Sequence, residues 1–110
     1  MANTFTLYEQ EARRTAPTLA DRDDAMLFGA LGLAGESGEY VDHIKKYVYH
    51  GHAPDREKAL DELGDILWYI AHAARAWQSG LGDVAYRNNM KLRRRYPSGF
   101  SVERSVNRHE

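Results

Sequence analysis

The chain has no cysteine. Disulfides, thiolate metal sites and a cysteine nucleophile are therefore excluded. It also has no apolar run of about 18 residues, the length that marks a membrane-spanning helix. Met1-Ala2-Asn3-Thr4-Phe5 lacks a basic stretch followed by an apolar core, so no signal peptide is expected and the expected location is the cytoplasm. Proline is held to three residues, and no strand alternation, repeat or low-complexity segment is present. What remains is an ordinary globular composition, 43% hydrophobic and 28% charged. At 110 residues it is enough for one small domain, 1–110.

A strong net charge is also missing, since the formal total is −1. The balance hides an asymmetry. Up to Tyr86 there are fourteen acids against eight Lys plus Arg; from Arg87 to Arg108 there are seven basic residues and one acid, Glu103. An acidic body with a basic C-terminal segment suits phosphate held beside a metal, or a nucleic-acid arm. The second idea lacks a recognisable motif and a strongly basic pI, which is about 6.5.

Hydrophobic spacing predicts an all-α chain of antiparallel helices joined by short loops. The first helix covers Thr4 to Arg14, with Thr4 as N-cap, and ends before Pro17. The second starts near Asp21-Arg22-Asp23-Asp24 and runs to about Tyr49, with Gly51 as its stop. On it Leu27, Leu31, Ala34, Gly38, Val41, Lys45 and Val48 form the main apolar stripe. The third runs from about Asp55 to Gln78, with Leu60, Leu63, Leu67, Ile70, Ala71, Ala74 and Trp77 as its core stripe. The fourth begins after Gly82 and ends at Arg95-Tyr96-Pro97, leaving about 98–110 as a loosely docked tail. More than one face of the second and third helices is apolar, so self-association, a dimer at least, is expected.

Two acidic pairs lie opposite these stripes, Glu36-Ser37-Gly38-Glu39 and Glu62-Leu63-Gly64-Asp65. Acids three apart on a helix have Cβ atoms roughly 5–6 Å apart on one face. Each pair sits among apolar and glycine residues, where carboxylates are costly unless a cation neutralises them. Oxygen-only ligands favour Mg²⁺, Mn²⁺ or Ca²⁺. A di-iron bundle needs Glu-x-x-His on two helices, whereas His43 follows Glu39 by four and His72 follows Asp65 by seven. The five histidines are accordingly read as solvent or loop residues, with His72 on the acidic face. Gly29, Gly32, Gly35 and Gly38 each cost helix stability, about 1 kcal/mol against alanine, so either a close neighbour or room for a ligand is required. Lys46 shares the face of Glu39, and Tyr69 stands one turn after Asp65, able to border a base. Trp68 points away from that face, toward core or interface.

The stretch Gly32 to Glu39 through Lys45-Lys46, then Glu62 to Tyr69, then Asn88-Asn89-Met90-Lys91-Leu92-Arg93-Arg94-Arg95-Tyr96-Pro97, resembles the MazG-like nucleoside triphosphate pyrophosphohydrolases of the all-α NTP pyrophosphatase superfamily. The pattern is E-x-x-E, a spacer of 22 residues here, then E-x-x-D. The resemblance implies a four-helix-bundle-like MazG fold, oligomerising as a dimer or a tetramer built from dimers. It implies hydrolysis of an NTP or dNTP between the α and β phosphates, to monophosphate and pyrophosphate, in nucleotide-pool housekeeping. Glu36, Glu39, Glu62 and Asp65 would bind Mg²⁺, for which Mn²⁺ can substitute. Glu36 or Glu39 would orient or deprotonate a metal-activated water that attacks the α-phosphorus. Asn88 and Lys91 correspond to residues near the phosphates, and Arg95 lies one turn on from Lys91. Lys46 and Tyr69 complete the expected substrate contacts, with basic residues able to act on a neighbouring subunit's site. The competing expectation is a non-catalytic helical dimerisation module whose metal site is vestigial.

Overall fold

Helix-capping chemistry sets the element boundaries in the computed structural model, which describes residues 3–108. The ends of the expected domain and tail, and the first residues of the N-terminal stretch, lie outside the described residues. Among the described residues five helices follow in order: α1 (Thr4–Arg13), α2 (Arg22–Tyr49), α3 (Arg56–Ala76), α4 (Leu81–Arg95) and α5 (Val102–Val106). The N-cap of α1 is Asn3, not Thr4: its side-chain oxygen accepts the Thr6 N–H at 2.8 Å. Asp21 caps α2 through the Asp24 N–H at 2.9 Å, and Asp55 caps α3 through the Lys58 N–H at 3.0 Å. Each satisfies a donor that the first helical turn leaves without a partner. Gly51 terminates α2 as expected, with φ of 74°. α3 ends at Ala76, short of the expected Gln78. Gln78, not a glycine, takes the left-handed position at φ 59°, while the Ser79 N–H reaches back to the Ala74 carbonyl at 3.0 Å.

The C-terminal segment is more ordered than a loose tail. Ser101 caps the short α5, and the Arg104 guanidinium donates to the Arg94 and Arg95 carbonyls, which the end of α4 leaves open. The Tyr96 and Phe100 rings meet at 5.2 Å. No strand is formed among the described residues beyond an isolated bridge between Pro97 and Gly99.

α2 and α3 form a long hairpin that is the main packing of the molecule, and α1 and α4 pack on its α3 side. The face by which α2 meets α3 overturns one expectation. Leu27, Leu31, Ala34, Gly38, Val41, Lys45 and Val48 all point outward, and Leu31 is 64% exposed. The inward face carries Ala25, Gly29, Gly32, Glu36 and His43. On α3 the expected stripe divides: Leu60, Leu63 and the following Trp77 are exposed and Ala71 and Ala74 are buried, while Glu62, His72 and Ala76 of the other face are buried as well. The physical reason is backbone approach. A Cβ on Gly29 would come within 3.0 Å of the Ala73 Cα, and one on Gly32 would fall inside the Tyr69 ring. Small residues let these faces close together, so the acid-bearing faces meet and the larger aliphatic stripe is left outside. Among the described residues, the buried hydrophobic side chains are Ala12, Ala71, Ala74, Ala76 and Leu81, each small except Leu81. The radius of gyration is 17.1 Å. A compact domain of this length has about 13 Å.

Candidate metal centre

The α2–α3 hairpin brings both acidic pairs into one electrostatic neighbourhood. The Glu36 carboxyl is pushed above the usual glutamate range, first by burial and then by the negative charges of Glu39 and Asp65, with a hydrogen bond to Glu39 and the charge of Glu62 adding to it. Glu39, Asp65 and Glu62 thus all act on Glu36, the last two from the neighbouring helix. The Glu36 Oε2 atom is buried with no hydrogen-bond partner in the chain, an expensive position for a carboxylate oxygen. The four are not gathered on a single point: among the described residues, no three His, Asp or Glu side chains already stand in metal-holding geometry. The donor set is oxygen-only and hard, and it fits Mg²⁺ or Mn²⁺ in chemistry and charge.

Two clefts, each of about 530 Å³, open on either side of the acids. The first is polar and includes Glu39, Glu62, Asp42, His43, Lys46, His52 and Lys58. Gly35 and Gly38 lie along it, and a Cβ on either would meet nothing within 4 Å. These two glycines leave open space beside the acids, unlike Gly29 and Gly32. Lys46, a predicted substrate contact, stands in this cleft with its ammonium 2.9 Å from Asp42 Oδ2. Lys46 first, then Lys45, holds the Asp42 carboxyl below its ordinary range.

The second cleft is aromatic. Tyr8, Thr15, Trp68 and Tyr69 line it together with Glu36 and Asp65. Tyr69 is where the spacing predicts it. Trp68 is not: its ring borders this cleft, with its indole N–H donating to Thr15 Oγ1 at 3.2 Å and its ring 4.9 Å from Tyr69. The turn from α1 into α2 curls under Trp68, and no helical-wheel argument contains that turn. The Tyr8 phenol is pushed up by burial and then by Asp65.

Two histidines also depart from the solvent or loop reading. His43 Nδ1–H donates to Glu62 Oε1 at 2.6 Å, with both side chains only 11% exposed. His72 is 8% exposed, is packed edge-on to Trp68 at 4.1 Å, and leaves Nε2 without a partner. The signal available for His43 was its place one turn after Glu39. Asn88, Lys91 and Arg95 of α4 line neither acid-bearing cleft, whose walls come from α1, α2, α3 and their connections.

An all-helical fold with an E-x-x-E helix facing an E-x-x-D helix across a cleft defines a class of acidic-cluster helical proteins. The MazG nucleotide pyrophosphohydrolase domain matches residues 29–100, which takes in both acidic pairs and all of α4. The chain is also 32% identical over 101 residues to the Gene 37 protein of Mycobacterium phage L5, covering 84% of this chain and 89% of that protein. No solved structure matches it. The chain belongs to the MazG nucleotide pyrophosphohydrolase domain family. No helix among the described residues is long and apolar enough to cross a membrane.

Proposed function

We propose that the chain hydrolyses nucleoside or deoxynucleoside triphosphates to the monophosphate and pyrophosphate. The observation that carries this reading is the Glu36 Oε2 atom, a buried carboxylate oxygen without a partner beside three other carboxylates. Such a cluster is an unmet demand for positive charge. A Mg²⁺ or Mn²⁺ ion held by Glu36, Glu39, Glu62 and Asp65 would offset that charge and supply Lewis acidity toward phosphate oxygens. The chain's own residues do the rest. Water forms a bond to the α-phosphorus, and the bond from that phosphorus to the α–β bridging oxygen breaks, with the electron pair leaving on pyrophosphate. Glu36 or Glu39 orients the water and takes its proton. The aromatic cleft, with Tyr8, Trp68 and Tyr69, suits the flat face of a base. The polar cleft, with Lys46, suits the phosphates.

Self-association belongs to the same reading. The outward stripe of Leu27, Leu31, Val41 and Val48, with Trp77 at 66% exposure, is a surface that a second copy would cover. A partner seated there can bring Asn88, Lys91 and Arg95 of its α4 toward these clefts. Light scattering at micromolar concentration is expected to give a dimer or tetramer, and a monomer would count against it.

The test of the activity is pyrophosphate release from a panel of NTPs and dNTPs, with Mg²⁺, Mn²⁺ or chelator. Metal-dependent release is expected, and Glu39→Ala is expected to lower it by about 100-fold or more, the usual scale for a positioned acid–base group. No turnover of any triphosphate, together with unchanged metal affinity in Glu39→Ala, would favour the non-catalytic helical module.

A further inference from the structure

We infer that His43 is a positioning residue that commits one oxygen of Glu62 and thereby makes the acidic centre select small octahedral cations over Ca²⁺. The inference rests on the metal reading above and goes beyond it, because His43 lies outside both acidic pairs.

The geometry is specific. His43 sits on α2 and Glu62 on α3, and their contact at 2.6 Å spans the hairpin. At that separation the Nδ1–H lies between the two atoms and donates to Oε1. Both side chains are largely withdrawn from solvent, so the pair is not a screened surface contact. Of the four acids, Glu62 is the most buried, at 8%. A carboxylate in that position with one oxygen held by a fixed donor turns both oxygens to one ion only by bending or giving up that hydrogen bond. Monodentate binding is favoured.

Ligand denticity separates the cations. Mg²⁺ and Mn²⁺ sites take single carboxylate oxygens in near-octahedral arrangement, whereas Ca²⁺ takes more oxygens and readily accepts both from one carboxylate. A hydrogen bond that fixes Glu62 to one free oxygen therefore penalises Ca²⁺ more than Mg²⁺. Partners beyond the ligands commonly set ligand orientation in this way. His43 also lines the polar cleft, so the ring stands beside the space where the phosphates of a substrate would lie.

The experiment is calorimetric titration of the full chain with Mg²⁺, Mn²⁺ and Ca²⁺, without nucleotide, for the wild type and three variants. His43→Asn places an amide N–H near the Nδ1 position and keeps the donor. His43→Gln places it near Nε2 and misplaces the donor, and His43→Ala removes it. All three are checked for wild-type helicity by circular dichroism. The wild type and His43→Asn are expected to share one Mg²⁺-to-Ca²⁺ affinity ratio. His43→Gln and His43→Ala are expected to lose about tenfold in Mg²⁺ affinity, the lower end of such outer-shell effects, and to lose less for Ca²⁺. Should His43→Ala not fold, the Asn and Gln pair carries the comparison. Equal ratios in the wild type and His43→Gln would overturn the role of His43 alone. A wild type that binds none of the three ions would overturn the metal reading beneath it.

Discussion

Substituting alanine at Gly32 and at Gly35 separates the two uses of glycine in α2. Both are interior helix positions, so either change gains about 1 kcal/mol of helix propensity. At Gly35 nothing lies within 4 Å of the added Cβ, and that gain stands. At Gly32 the new carbon would fall inside the Tyr69 ring, which must swing out. The ring then gives up its contacts with Phe28 at 5.3 Å and Trp68 at 4.9 Å. Each aromatic pair contributes about 0.5–1.5 kcal/mol beyond area burial. Overpacking strain adds about 1–3 kcal/mol. The net for Gly32→Ala is a loss of roughly 3 kcal/mol once the propensity gain is subtracted. For a domain of this size that lowers Tm by roughly 9–18 °C, while Gly35→Ala raises it by about 4 °C. The assay is thermal unfolding followed by circular dichroism at one fixed protein concentration, because the proposed self-association would make Tm concentration-dependent. A Gly32→Ala variant as stable as wild type, or a Gly35→Ala variant less stable than Gly32→Ala, would refute the assignment of these glycines.

The Glu36 carboxyl is raised above its unfolded value, so the folded chain binds the proton more tightly, and stability falls as pH rises through the window between the two values. Glu36→Gln is therefore expected to raise the Tm of the metal-free chain at neutral pH, with the gain vanishing once pH falls below the ordinary glutamate range. A gain that persists in strong acid would argue against it. His72 is the reverse case: burial, then Arg75, depresses its imidazole despite a hydrogen bond to the Ala12 backbone, so acidification through about pH 6.5 favours the unfolded chain. Tm is expected to drop across that window in the wild type and to drop less in His72→Phe. Gln78→Gly relieves a left-handed side-chain position, at φ 59°, and is expected to stabilise by about 0.5–1 kcal/mol after the entropy of the more flexible unfolded chain is deducted. An unchanged or lower unfolding midpoint in denaturant would contradict that.

The four long helices, their order and the Gly51 stop were legible from spacing alone, because a 3.6-residue period and Asp, Asn or Gly at helix ends act within a few residues of chain; the Asn3 cap, the end of α3 and the short α5 were not. The two acidic pairs were legible for the same reason: E-x-x-E and E-x-x-D fix which acids share a helix face. Which face turns inward was not legible. The aliphatic stripe through Leu27, Leu31 and Val48 and the small-residue stripe through Gly29 and Gly32 both have helical period, and only the packing of α2 on α3 chose the second. The choice follows from how closely two backbones can approach, which depends on both helices at once. His43 reaching Glu62 across the hairpin, Trp68 bordering the cleft over Thr15, and the division of four glycines into contacts and open space are decided by that same packing. Sequence by itself determined the chemistry present on each helix; tertiary structure decided which groups meet, because meeting is a property of pairs of surfaces.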